Sequence, residues 1–270
     1  MRPALTLVGH SAARARWLVG GFGLLLLVFQ VLFVLLAVTL QESNTFGRIA
    51  EIAPPFVREL LGSSFVTMMS FSGVVGFGYF HPMILAALVG VAIAVATEPA
   101  AEIERRFVDV ILARPAARAD VVTRSAILLA AASVLLVGAM VAGTWLALAI
   151  MVPAGAPPVR EGLIESLAAN LAALVFCWGG LTLALAAHGR RRGAVGAVAA
   201  GLAFSTFLVN YLARVWAPVA KVAWLMPFHY YDPMAMLLGA PLPVAHVWTL
   251  GGIGLAGVVV AYWVYGRRDL

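Results

Sequence analysis

The chain has 270 residues, 63% of them hydrophobic and only 11% charged, with mean hydropathy +1.00. Soluble domains carry about 25% charged residues, so this composition excludes a water-exposed globule and indicates an integral membrane protein. The net charge of +6 is divided among short segments with no continuous basic face, which argues against nucleic acid, and the single cysteine, Cys177, excludes an internal disulfide and a multi-cysteine metal site.

A bilayer core of about 30 Å needs roughly 20 apolar residues per helix. The first such run is residues 17–40, too long for a signal-peptide core and read as a retained anchor. The second is 75–97, with His81-Pro82 expected as a kink near its outer end. The others are 125–152, 163–187, 194–214 and 246–266. With no repeat, linker or low-complexity tract, the expectation is a single all-α transmembrane domain over 1–270, with six spans.

Orientation follows from the basic residues. The N-terminus, the 98–124 and 188–193 loops and the C-terminus hold thirteen of them, and the remaining segments hold five. The expectation is N-in and C-in, in a bacterial-type inner membrane.

Two outer segments are more than links. Within 41–74, Pro54-Pro55 could open a short amphipathic helix with Phe56, Leu60 and Leu61 on one side. Residues 215–245 are apolar but interrupted by prolines. They suit short re-entrant or interfacial helices, with Trp216, Trp224, Tyr230 and Tyr231 at headgroup depth. The small residues Gly252-x-x-x-Ala256 and Gly193-x-x-Gly196 are read as helix-packing positions.

The stretch from Glu98 to Arg124 holds ten of the thirty charged side chains. Ile103, Phe107, Val110 and Ile111 recur at i, i+4, i+7 and i+8, one stripe of an amphipathic helix. Glu102 and Arg106 form an i,i+4 pair on its polar side, Pro115 ends it, and Asp120 lies where the next helix begins. A solvated loop, a helix lying on anionic lipid and a docking helix for a cytosolic protein all fit a charge run. The patch has five arginines against five carboxylates. Lipid binding calls for net positive charge, whereas balanced charge beside an apolar stripe favours docking.

Residues Glu104 to Arg118 read E-R-R-F-V-D-V-I-L-A-R-P-A-A-R. This resembles the segment between the second and third spans of permease subunits of the ABC-2 (type V, exporter-like) ABC transporters. Glu104, Asp109, Val110 to Leu112, Pro115 and Arg118 fall in register with it. The likeness extends to six spans with both ends inside, to "PFHYYDP" at Pro227 to Pro233, and to the closing "YGRRDL". Arg106 and Phe107 replace the family's Gly-Thr, and Ala117 replaces its Ser.

The resemblance implies that Glu102 to Arg118 is a coupling helix seated in a separate ATP-binding subunit. Its docking residues would be Glu102, Glu104, Arg105, Arg106, Phe107, Asp109, Ile111, Pro115 and Arg118. Two permease chains, identical or paired with a sibling, would sit on two ATPase subunits that carry ATP and Mg. The chain itself has no phosphate-binding G-x-x-x-x-G-K-[ST] loop, and its only lysine is Lys221. Spans one, two and five would wall the pathway, with Gln30 and Asn210 as sparse polar contacts. A mostly apolar wall points to a hydrophobic or amphipathic substrate. An amphipathic N-terminal elbow helix would carry Leu5, Val8 and Ala12.

Two other classes fit the sequence less well. No Asp, Glu, Lys or Arg lies in the middle of an expected span, which argues against an ion-coupled carrier. An intramembrane enzyme would have to use His229 and Asp232 in the external segment. The histidines are too scattered for a metal site, and Phe228, His229, Tyr230, Tyr231 and Asp232 are read instead as an external cap held by aromatic packing.

Overall fold

The computed structural model describes residues 3–43, 67–105, 117–152 and 158–267. The helix expected after Pro54-Pro55, together with Arg106, Phe107, Asp109, Ile111 and Pro115, lies outside the described residues. Among the described residues the regular structure is entirely helical, and six helical segments are long and apolar enough to cross a membrane.

Helix α1 (Pro3–Glu42) is unbroken and roughly 60 Å long at 1.5 Å per residue. The N-terminal segment expected as a separate elbow helix is instead the first part of α1. Ala12, Ala13, Ala15 and the neighbouring arginines are strong helix formers, and nothing among them ends a helix.

The second span is two helices, α2 (Phe71–Phe80) and α3 (Pro82–Ala96). The Ser70 hydroxyl caps α2 by accepting from the Gly73 N–H at 3.1 Å. Because α2 begins at Phe71 rather than Val75, the His81 break lies ten residues inside the span instead of near its outer end. Pro82 has no N–H and disfavours helical backbone at the preceding residue. His81 accordingly sits at φ −61°, ψ 125°.

Beyond Thr97 comes the short helix α4 (Glu98–Glu104). Helix α5 (Arg118–Met151) starts before the expected Ser125, because the Asp120 carboxylate accepts from the Ala117 N–H at 2.8 Å and caps the new end. Helices α6 (Leu163–His188), α7 (Arg192–Leu212) and α10 (Val244–Arg267) match the expected spans within two residues. Between α7 and α10 lie α8 (Ala217–Ala220), two 3₁₀ turns (Ala223–Leu225 and Pro227–Tyr230) and α9 (Pro233–Leu237). Trp216 and Trp224 are exposed, but Tyr231 turns into the core.

Helix α6 is the centre of the bundle and packs against α2, α3, α5, α7 and α10. Its Leu163, Ile164, Leu167, Leu171 and Leu174 are at most 2% exposed. Helix α1 runs along α5, while α7 buries only Val195, Ala199 and Ala203 and turns the rest of its apolar surface outward.

Lipid supplies no hydrophobic drive between helices, so close packing carries much of the association. Helices α6 and α10 meet backbone to backbone: a Cβ on Gly257 would strike the Gly180 carbonyl, and one on Gly254 would come 2.7 Å from the Phe176 ring. The packing glycines are thus Gly180, Gly254 and Gly257. Gly252 and Gly193 face open space, Ala256 is exposed, and Gly196 meets only the edge of Ile93. Overpacking typically costs about 1–3 kcal/mol and more where backbone is struck. Gly257→Leu is therefore expected to lower the resistance of the purified chain to thermal unfolding in mild detergent, whereas Gly252→Leu is expected to leave it unchanged.

Candidate functional site

The acidic residues of α4 tie it to three spans. Glu102 is 3% exposed and meets Arg124 of α5, itself 1% exposed, in a two-pronged pair: Nη1 to Oε1 at 2.7 Å and Nη2 to Oε2 at 2.9 Å. Two parallel N–H···O bonds between ionised groups are the strongest form of this contact. Glu104 accepts from the backbone N–H of Arg192 at 2.8 Å, at the first turn of α7, where the helix dipole favours a carboxylate. Glu98 pairs with Arg14 of α1 at 3.1 Å, nearer the surface.

The Arg192 side chain reaches back over the turn between α3 and α4. Its Nη2 donates to the Ala94 carbonyl at 3.0 Å and its Nε to the Thr97 hydroxyl at 3.3 Å. Pro99, Ala100 and Ala101 are buried beneath the helix, Ala100 against Ala186 of α6 and Val195 of α7. Ile103 packs on a cluster that includes Val121, Val122 and Tyr265.

Glu102 is therefore an inward anchor, not an exposed docking side chain. Both of its oxygens are used by Arg124, where the sequence suggested Arg106. Glu104 and Arg105 are exposed, and Arg118 opens α5 half-buried. Arg124 and Arg192 carry the site without having been singled out from sequence. Arg124 stands 22 residues from Glu102, and no helical periodicity joins the two.

At the far end of α3 the break leaves carbonyls of α2 without helical partners. The Tyr231 hydroxyl donates to the Tyr79 carbonyl at 2.6 Å, and the Tyr79 hydroxyl lies 3.0 Å from that of Thr144. Burial pushes the Tyr231 phenol pKa upward, keeping it a proton donor. The His81 Nδ1 accepts from the Met83 N–H at 3.3 Å, and the ring stacks edge-on to Phe77 at 5.1 Å.

Gln30 is fully buried, with its amide pressed onto Gly78, and neither polar atom has a partner among the described residues. It does not line an open pathway in this conformation, because the close α1–α2 approach at Gly78 leaves it no free face.

Asn210 lines a cavity of about 520 Å³ together with Arg214, His229, Asp232 and His246. Its amide also donates to the Phe228 carbonyl at 3.3 Å, and Asn170 donates to the Tyr230 carbonyl at 3.1 Å. The segment is seated by Phe228, 5.8 Å from the Trp178 ring and 5.4 Å from Phe207. Phe228 and Tyr231 are buried, Tyr230 and Asp232 are partly buried, and His229 is exposed. Asp232 uses Oδ1 to cap α9 at the Ala235 N–H, 3.2 Å away, and no hydrogen bond joins it to His229 among the described residues. Nor do the described residues contain three His, Cys, Asp or Glu side chains grouped to hold a metal.

Comparison of the chain with protein-family models, with curated proteins and with solved structures yields no match.

Breaking a buried ion pair from one side costs about 3–5 kcal/mol, because the surviving charge is left without its partner. Glu102→Gln is expected to lower stability by that order, and Glu102→Gln with Arg124→Met to recover most of it. Glu98→Gln is expected to cost at most about 1 kcal/mol. Detergent-denaturation curves of the purified variants check all three. Tyr231→Phe orphans the Tyr79 carbonyl and is expected to cost about 1–3 kcal/mol in the same assay.

Proposed function

We propose that this chain is the membrane-spanning permease subunit of an ATP-driven exporter resembling the ABC-2 family, with its arginine-rich face in the cytoplasm. The observation that carries the reading is the anchoring of α4, a short helix between the second and third spans, to α1, α5 and α7 through Glu98, Glu102 and Glu104. A segment that receives force from a partner must pass it on without sliding. A buried two-pronged ion pair and a carboxylate on a helix N-terminus resist sliding far better than apolar contact alone.

In this reading Glu104 and Arg105, both exposed, dock on a separate ATP-binding subunit together with Phe107, Asp109 and Arg118. Closure of two such subunits on ATP and Mg displaces α4 in each of two permease chains. The motion passes into α5 through Arg124, into α7 through its first turn, and into α3 through Thr97. Outward opening then requires rearrangement at the other end of α3, where His81 interrupts the span and the 227–233 cap closes over it. Discontinuous spans form the substrate site in many transporters, which supports a place for the pathway near this break. The apolar character of the spans supports a hydrophobic or amphipathic substrate.

The test is extraction of the tagged chain from its native membrane in mild detergent, followed by mass spectrometry of what accompanies it. An ATP-binding subunit is expected with the wild type and is expected to be lost with Phe107→Asp, at equal expression of the two forms. Recovery of both forms without an ATPase would overturn the proposal.

A further inference from the structure

Helices α1 and α5 touch at one end and part toward the other. At the crossing a Cβ on Gly143 would come 2.6 Å from the Leu27 carbonyl, so the two backbones are in direct contact. One turn along α1, a Cβ on Gly23 would meet Ala139 at an ordinary 3.8 Å. A further turn along, Gly20 has nothing within 4 Å. The result is a wedge of about 620 Å³, floored by Val95 and walled by small and aliphatic side chains. It opens toward the face that carries α4.

The lining of this wedge includes one charged side chain, Arg16, at its wide end. Arg14, half a turn away, is paired with Glu98, whereas Arg16 has no carboxylate partner among the described residues and lies 5.2 Å from the Trp17 ring centroid. Tryptophan and arginine side by side mark the headgroup level of a leaflet. From Arg16 to Leu27 is roughly 16 Å of helix, close to the half-thickness of a bilayer core, about 15 Å.

We propose that this wedge binds an anionic phospholipid of the leaflet on the α4 side, with one acyl chain between α1 and α5 and the phosphate on Arg16. Three features select this occupant. The taper to backbone contact at Gly143 excludes a partner helix, which is about 10 Å across. The apolar walls require an aliphatic tail, and a guanidinium at headgroup depth with no carboxylate partner among the described residues calls for a negative charge. The site does not depend on the transport reading. The bound lipid fills a gap that the protein's own side chains leave open, beside the stretch of α1 that Arg14 ties to α4.

The full chain reconstituted in phosphatidylcholine vesicles containing phosphatidylglycerol with a diazirine in one acyl chain, then irradiated and mapped by peptide mass spectrometry, tests the proposal. Adducts are expected to concentrate in residues 19–27 and 128–139, well above those on the outward face of α10 around Leu255 and Val259. The same probe on phosphatidylcholine is expected to label the wedge about fivefold less, and Arg16→Gln to reduce phosphatidylglycerol labelling by a similar factor, the worth of one arginine near an anionic surface. Gly20→Leu projects into open space and is expected to remove the adducts while leaving thermal unfolding unchanged. Even labelling of wedge and outward face, or equal labelling by the two headgroups, overturns the proposal. So does a disulfide between two chains carrying Gly20→Cys in a Cys177→Ala background, which would put a second copy in the wedge.

Discussion

The pair between Glu102 and Arg124 is the contact on which the charged face of the molecule depends. Two full charges lie almost completely out of water, and the cost is met only in part: both carboxylate oxygens are used, but the Arg124 Nε has no acceptor among the described residues. Buried pairs of this kind are weak contributors to net stability, and their best-attested use is to fix one arrangement among several. Here the arrangement fixed is the seat of α4 on α5. Once α4 is held there, Glu98 faces Arg14 and Glu104 reaches the first turn of α7, so four helices share one rigid corner.

Helix α3 connects that corner to the opposite side of the bundle. It spans Pro82 to Ala96, roughly 22 Å, and it is interrupted at both ends, by His81 and by Thr97. Each interruption is braced by a residue distant in sequence. Tyr231 satisfies the Tyr79 carbonyl on one side, and Arg192 holds the Ala94 carbonyl and the Thr97 hydroxyl on the other. Through α3 the two polar clusters are joined by one continuous stretch of helix. The segment between α7 and α10 is tied to the His81 end of α3, because Asn170 and Asn210 hold its backbone while Phe228 fills the space beside Trp178.

Elsewhere the helices use small residues in two opposite ways. At Gly180, Gly254 and Gly257 the absence of side chains lets α6 and α10 close completely. At Gly20 the same absence leaves a gap, because α1 has already diverged from α5. Spacing does not distinguish these outcomes, which is why Gly252 and Ala256 look like a packing pair in sequence and yet face outward. The crossing geometry of the two helices decides.

The amino-acid sequence by itself determined the class, the number of spans and most of their limits, because a membrane-crossing helix is set by the length and polarity of a contiguous run. It also exposed the Pro82 break, the Asp120 helix start and the proline-broken aromatic segment between the last two spans, each a consequence of local backbone chemistry. Only the tertiary structure decided which charges meet. Glu102 looked like the polar side of a surface helix, Arg124 like a topology signal and Gln30 like a pathway contact. Their roles depend on what lies opposite them in space. A buried charge chooses its partner by three-dimensional proximity, and local periodicity holds no record of a contact made across 22 residues of chain.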